Sequence, residues 1–149
     1  MKIRKAAKRD FLHYLLLKRE EEQYFTKLLN KKFSISDKEY KKEFLDVLKS
    51  KKSLLLVAEL NGKLIGFIYG TFFKNIHDSG GFIEVIYVAK DHRRSGVASV
   101  LMHEFTKEVK KKKLKKIQLS VNVKNTSAFN FYKKIGYKLH HYDLKKEMK

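Results

Sequence analysis

The sequence predicts an α+β protein: a mixed central β-sheet with helices on both faces, in the order β-α-α-β-β-β-α-β-α-β. Three observations carry this expectation. Runs rich in β-branched and aromatic residues alternate with stretches of helical period. Three strand-like runs stand in succession mid-chain, the first two joined by Asn61-Gly62. The third, FIEVIYV over 82–88, is apolar enough to be read as covered on both faces. A chain of 149 residues suits one domain, 1–149, and no linker or internal repeat divides it.

The elements follow in order. Lys2 to Ala6 is a short opening strand. Asp10 can cap a helix running to Leu29, with Leu12, Leu15, Leu16 and Arg19 at helical spacing. SISDKEY opens a second helix, with Ser36 as N-cap and Glu39 three residues on: a capping box. Its apolar face holds Tyr40, Phe44, Val47 and Leu48. Ser53–Leu60 and Lys63–Phe73 form a hairpin about Asn61-Gly62, and Phe82–Val88 is the next strand. A helix spans about 96–111, with Val100, Leu101, Phe105 and Val109 inward. Ile117–Val123 alternates as a strand, and Asn125–Ile135 is a helix closed by Gly136. Tyr137 to Met148 is expected to supply one or two last strands.

Composition removes several classes of function. No cysteine is present, so disulfides, zinc-thiolate centres and acyl-cysteine intermediates are ruled out. The six histidines show no metal spacing, so no metal site is expected. No run approaches the roughly 20 apolar residues of a membrane span, and the expected location is the cytoplasm. The formal charge of +19 favours polyanionic partners, or reflects a lysine-rich composition. The lysine run around Leu114 has no interleaved aromatic, and reads as a solvated helix end ahead of a nucleic-acid patch.

The stretch DHRRSGVASVLM, 91–102, leaves a strand and enters a helix through small residues and two arginines. The first turn of a helix carries free N–H groups and a partial positive charge, and binds phosphate where nearby side chains let the ligand approach. Ser95, Gly96, Ala98 and Ser99 meet that need, and Arg93 and Arg94 add charge. No Gly-Lys-Ser/Thr or G-x-G-x-x-G follows, which disfavours nucleotide hydrolysis and a dinucleotide fold.

Arg93-Arg94-Ser95-Gly96-Val97-Ala98 resembles the Q/R-x-x-G-x-G/A motif of the GNAT N-acetyltransferase superfamily. NTSAFNFYKKIGY, 125–137, is similar to that family's N-x-x-A-x-x-F-Y-x-x-x-G-F/Y signature, and the element order agrees over nearly the whole chain. The resemblance implies acetyl-CoA as cosubstrate. Its pyrophosphate would lie on the amides of Arg94, Ser95, Gly96, Val97, Ala98 and Ser99. Its pantetheine arm would lie in a splay between Phe82–Val88 and Ile117–Val123, paired with Ile86, Tyr87 and Val88 and bonded by Asn125. Tyr132 would face the sulfur and protonate the leaving thiolate. Arg94 stands where the family often has glycine, and Ala89-Lys90 lacks its usual proline.

Glu84 is the one charge in FIEVIYV. It is either paired or wetted at a strand end, or a general base whose burial raises its pKa. On spacing alone Tyr132 is a core aromatic with a satisfied hydroxyl, and Asn125 an N-cap. The reading with most support is direct acetyl transfer from acetyl-CoA to an unidentified primary amine. Alternatives are a silent acyl-CoA sensor and a basic nucleic-acid-binding protein. Either a monomer or a homodimer is consistent with the sequence.

Overall fold

A computed structural model describes residues 1–148. Five strands form one sheet in the order β1-β2-β3-β4-β5. They are β1 (Lys2–Lys5), β2 (Ser53–Leu60), β3 (Lys63–Lys74), β4 (Ser79–Val88) and β5 (Lys116–Leu119). The first three pairings are antiparallel and β4–β5 is parallel. The helices are α1 (Phe11–Leu29), α2 (Asp37–Lys49), α3 (Val97–Lys111) and α4 (Thr126–Lys134).

Two apolar layers sandwich the sheet. On one face Leu54, Leu56, Ile68 and Ile83 pack with Leu101, Phe105 and Val109 of α3 and Tyr132 of α4. On the other, Val57, Phe67 and Tyr87 pack with Tyr14 and Leu17 of α1 and Phe44 of α2. Helix α3 presses so close that a Cβ at Gly70 would sit 2.5 Å from the Phe105 ring. Glycine is therefore demanded there by helix-on-sheet packing rather than by a turn.

The local chemistry of several elements follows the sequence. Asn61 and Gly62 both take positive φ, 51° and 76°, as a two-residue turn matched to strand twist requires. Ser36 Oγ accepts from the Glu39 amide, and Glu39 returns a bond to the Ser36 amide, closing the capping box. Gly136 sits at φ 97°, just beyond α4.

Other elements depart from expectation. The buried side of α1 carries Tyr14, Leu17 and Glu21, while Leu12 and Leu16 are exposed. Apolar residues ring the first half of this helix, so spacing alone picks no face, and a glutamate interrupts the true stripe. Asp10 does not cap α1. It takes the Arg4 guanidinium at 2.7 and 2.9 Å and the Ala7 amide at 2.7 Å. On α3, Val97 and Met102 are buried and Val100 is exposed. Strand β5 ends at Leu119, short of the expected Val123. The expected last strands do not form: residues 138–148 have no regular structure and are exposed. Leu139, Tyr142, Leu144 and Met148 stand there among polar and charged residues, and all four are exposed.

Candidate active site

The site begins with a register slip. Tyr69 pairs with Val85 and Gly70 with Ile83, so Glu84 is the extra residue of a β-bulge. The slip reverses the side-chain alternation. Ile83 faces the α3 layer, while Val85, two residues on, faces the α1/α2 layer. Beside the bulge the sheet opens. Strand β5 pairs with β4 only from Gly80↔Lys116 to Ile83↔Leu119. From Glu84 to Val88 the same edge of β4 has no strand neighbour among the described residues. The β4–β5 pairing thus stops at the bulge, where the expected splay would open, but β5 ends at Leu119 and no second strand flanks the open edge among the described residues.

The loop leaving β4 makes one 3₁₀ turn, Lys90–His92, then enters α3. Arg94 and Gly96 take left-handed backbone, φ 63° and 84°. Val97 is buried and anchors the helix start. The first intrahelical bond is from the Val100 amide to the Gly96 carbonyl, at 3.1 Å. The amides of residues 94–99 therefore have no partner among the described residues. A Cβ at Gly96 would meet nothing within 4 Å, so the space above these amides is open. Free amides, a helix N-terminus and open space are what a phosphate needs.

Arg93 does not point at that space. Its Nε donates to the Val88 carbonyl at 3.1 Å, and Nη2 donates to the Tyr87 hydroxyl at 2.9 Å. Its guanidinium lies 4.9 Å from the Tyr24 ring centre and 5.3 Å from that of Tyr87. Tyr87 donates to Glu20 Oε1 at 3.0 Å, and the same oxygen accepts the Lys90 amide at 2.6 Å. Burial, and then its bond to Glu20, push the Tyr87 phenol up to about 12, against the pull of Arg93. Helix α1 is thus tied to the end of β4 and to the cradle loop. It is also tied to α4: Tyr24 donates to Asn125 Oδ1 at 3.2 Å. That oxygen accepts the Ala128 amide as well, so Asn125 is an N-cap.

Glu84 is exposed, so the burial expected to raise its pKa is not there. Among the described residues its one side-chain partner is the Thr71 hydroxyl, at 3.5 Å. Of the two structural readings, wetted strand end and salt bridge, the exposed position fits the first. Tyr132 is buried against Phe131 and Tyr137, with ring centres 5.5 and 5.9 Å away. Burial first, then Tyr137, push its phenol up to about 12. Its hydroxyl has no hydrogen bond to another described residue, contrary to a core tyrosine with a satisfied tip. Ile86, Tyr87 and Val88 line the open edge of β4, and Ser95 donates to the His92 carbonyl at 2.5 Å. No group of described residues could hold a metal ion, and no described helix is long and apolar enough to cross a membrane.

Residues 13–137 match the Acetyltransferase (GNAT) family. The chain belongs to this family. An N-alpha-acetyltransferase from Sulfurisphaera tokodaii is 30% identical to this GNAT chain over 112 residues, 66% of this chain and 67% of the relative. Among solved structures, an aminoglycoside 6'-N-acetyltransferase from Acinetobacter haemolyticus superposes with a TM-score of 0.81 at 21% identity, covering 100% and 99% of the two chains. A second aminoglycoside N-acetyltransferase, solved with CoA, gives 0.78 at 17% identity over 99% of each chain. At these identities the two structures speak to the GNAT fold alone.

From the sequence, Tyr24 is expected with Phe25 and Phe33 in an acceptor pocket and Glu20 in an acidic patch, but their bonds to Asn125 and Tyr87 are not foreseen. The two residues join Tyr87 and Asn125 from 67 and 101 residues away. On α1 they look like one member of an acidic run and one of many aromatics. Only a pairing of α1 with the β4 end could have revealed them.

Proposed function

We propose that the protein is an acetyl-CoA-dependent N-acetyltransferase that passes the acetyl group directly to a primary amine of a peptide, protein or small molecule. The observation supporting this reading most is a juxtaposition: the open edge of β4 runs into a loop whose amides 94–99 are unpaired. An extended arm and a pyrophosphate are joined in the same order in CoA. The amides and Arg94 hold the pyrophosphate, and Ile86, Tyr87 and Val88 offer the strand edge to the arm. Asn125 closes the far side from the α4 cap.

The bound cosubstrate supplies the thioester. The amine nitrogen attacks the carbonyl carbon and the C–S bond breaks. Glu84, wet and at the bulge, takes the proton shed by the amine. Tyr132 gives its proton to the departing thiolate; as a phenol it is protonated at neutral pH. With no nucleophilic cysteine available, positioning in a ternary complex supplies much of the rate.

The test is calorimetry with acetyl-CoA, then thiol release across a panel of amines. Peptide α-amines lead the panel, since the Sulfurisphaera relative is an N-alpha-acetyltransferase, and aminoglycosides follow. Gly96→Glu places bulk, negative charge and a strained φ of 84° at the cradle and should abolish acetyl-CoA binding. Unchanged binding in that variant would remove the cradle assignment. Tight binding with no amine acetylated would favour a silent acyl-CoA sensor.

A further inference from the structure

Helix α1 sends two side chains of one face to the site. Glu20 and Tyr24 are four residues apart, so they stand together on the helix surface. Glu20 goes to the end of β4, where it holds Tyr87 and the Lys90 amide. Tyr24 goes to Asn125 at the start of α4, and its ring lies against the Arg93 guanidinium. This half-buried tyrosine therefore touches both the loop after β4 and the cap of α4. Neither the phosphate cradle nor the proton transfers use its hydroxyl.

What that hydroxyl does depends on the amide of Asn125. An amide oxygen takes two donors, and the amide NH2 gives two protons. Oδ1 receives the Tyr24 hydroxyl at 3.2 Å and the Ala128 amide at 3.3 Å, so its capacity is filled. Each bond is long, and one alone would hold the side-chain plane loosely. Two of them, one from α1 and one from α4, hold it well. Nδ2 is the other branch of the same planar group, and it makes no bond to another described residue. Asn125 is buried, yet the sealed side-chain polar atoms without a partner among the described residues are those of Glu21 and Glu22. Nδ2 therefore reaches open space with both protons free. The Tyr132 hydroxyl is in the same condition. It stands seven residues on, which is the same face of α4 and about 10 Å along it. A free donor and a free phenol thus open on one side of one helix, an arm's length apart.

We propose that Tyr24 is a positioning residue for the cosubstrate: it pins Asn125 Oδ1, and Nδ2 then donates to an amide carbonyl of the pantetheine arm. The inference rests on acetyl-CoA as the cosubstrate. It gives Asn125 a direction, donor to the arm and not acceptor from it. It also places the Tyr24 hydroxyl in the service of the cosubstrate and not of the acceptor amine.

Binding of CoA and of 3'-phospho-ADP, its nucleotide half, is measured by calorimetry in the parent and in variants, with a melting temperature for each. Tyr24→Phe keeps the ring on Arg93 and removes the hydroxyl. CoA should bind about two- to tenfold more weakly, the range of one neutral hydrogen bond, while 3'-phospho-ADP, which has no arm, binds as before. Asn125→Asp leaves an oxygen for Ala128 and Tyr24 and caps a helix equally well, but sets a carboxylate oxygen where the NH2 stood. CoA binding should fall about tenfold or more, the cost of facing two acceptors with no proton between them. Long-range repulsion from the new charge weakens both ligands alike, so the difference between them reads the arm. Tyr24→Phe added to Asn125→Asp should cost little further, because the donor it positions is gone. A parent that binds neither ligand would remove the acetyl-CoA reading, and this inference with it. A parent that binds CoA, with no loss in Tyr24→Phe, would overturn this inference alone. So would an equal loss of both ligands in Tyr24→Phe, which would make Tyr24 a support of the cradle through Arg93. So would Asn125→Asp binding CoA as tightly as the parent, since the arm would then be giving a proton to residue 125.

Discussion

At the scale of single residues, the two side chains proposed to handle protons differ in their surroundings, and this makes their roles separable. Tyr132 lies in the core with a free hydroxyl and a phenol near 12. Tyr132→Phe leaves the packing in place, so the melting temperature should shift little while turnover falls by roughly 10²-fold or more with acetyl-CoA affinity kept. A normal turnover beside a lowered melting point would make it a core residue. The raised pKa adds a pH signature. The protonated donor persists up to about 12, so turnover should show no falling limb in the ordinary phenol range near 10. Glu84 is exposed at the bulge, so as the proposed base it would take its proton through solvent. A lysine amine titrates near ~10.4 and a peptide α-amine near ~8, so most acceptor is charged at neutral pH. Glu84→Gln should slow turnover at neutral pH and recover as pH rises and free neutral amine becomes common. An unchanged pH–rate profile would leave water as the proton acceptor.

At the scale of elements, α1 is the piece whose position matters most to the site. One oxygen of Glu20 holds both the Lys90 amide and the Tyr87 hydroxyl, and so fixes where the chain turns from β4 into the cradle. Glu20→Ala frees that turn and removes the partner that opposes Arg93. The expected outcome is a KM for acetyl-CoA raised roughly ten- to a hundredfold with kcat nearly kept, since the loss of one charge-assisted pair costs about 1.5–3 kcal/mol. A change in kcat alone would place Glu20 in the chemistry instead. This dependence also marks the limit of what the sequence discloses. Short-range chemistry is written locally, which is why β2, the Asn61-Gly62 turn, the Ser36–Glu39 box and the small residues at 95–99 can be read directly. The motifs at 93–98 and 125–137 also lead to the right family. The bulge at Glu84 is different. It comes from a register between two strands, and no residue in FIEVIYV announces it, so the strand reads as buried and its glutamate as desolvated. Arg93 reads as a phosphate ligand because its partners, Tyr87 and Tyr24, are chosen by the packing of α1. The tail fails for a third reason. Its apolar residues, Leu139, Tyr142, Leu144 and Met148, are three, two and four residues apart, so no sustained period of 2 gives it a strand face, and a strand forms only where an edge and an apolar face are both free to take it.

At the scale of the whole molecule the dominant fact is a charge of +19 on 149 residues. A folded chain of this length has a radius of gyration near 15 Å, whereas the Debye length is about 30 Å at 0.01 M salt and about 10 Å at 0.1 M. At low salt the excess lysines therefore repel one another across the entire fold, and the expanded unfolded chain feels less of this. Salt also weakens the ion pairs, and the two effects oppose. The pairs are short contacts, such as Lys107–Glu104 at 2.7 Å and Lys111–Glu108 at 2.6 Å, and exposed pairs of this kind are worth about 0–1 kcal/mol each. Arg4, between Asp10 and Glu59, is largely covered and is screened less. Screening at 10 Å removes the long-range repulsion nearly completely but leaves contacts at 3 Å mostly intact, so relief of repulsion wins. The melting temperature should accordingly rise by about 3 °C or more between 0.01 and 0.3 M NaCl, the response to roughly 1 kcal/mol in a domain of this size. Chloride is the anion to use, because sulfate would also bind at the proposed phosphate cradle. A melting temperature that falls over this range would mean that the ion pairs outweigh the repulsion. The charge would then be neutralised locally within the fold, and the lysine surface would be a poorer attractor of polyanions than its net charge implies.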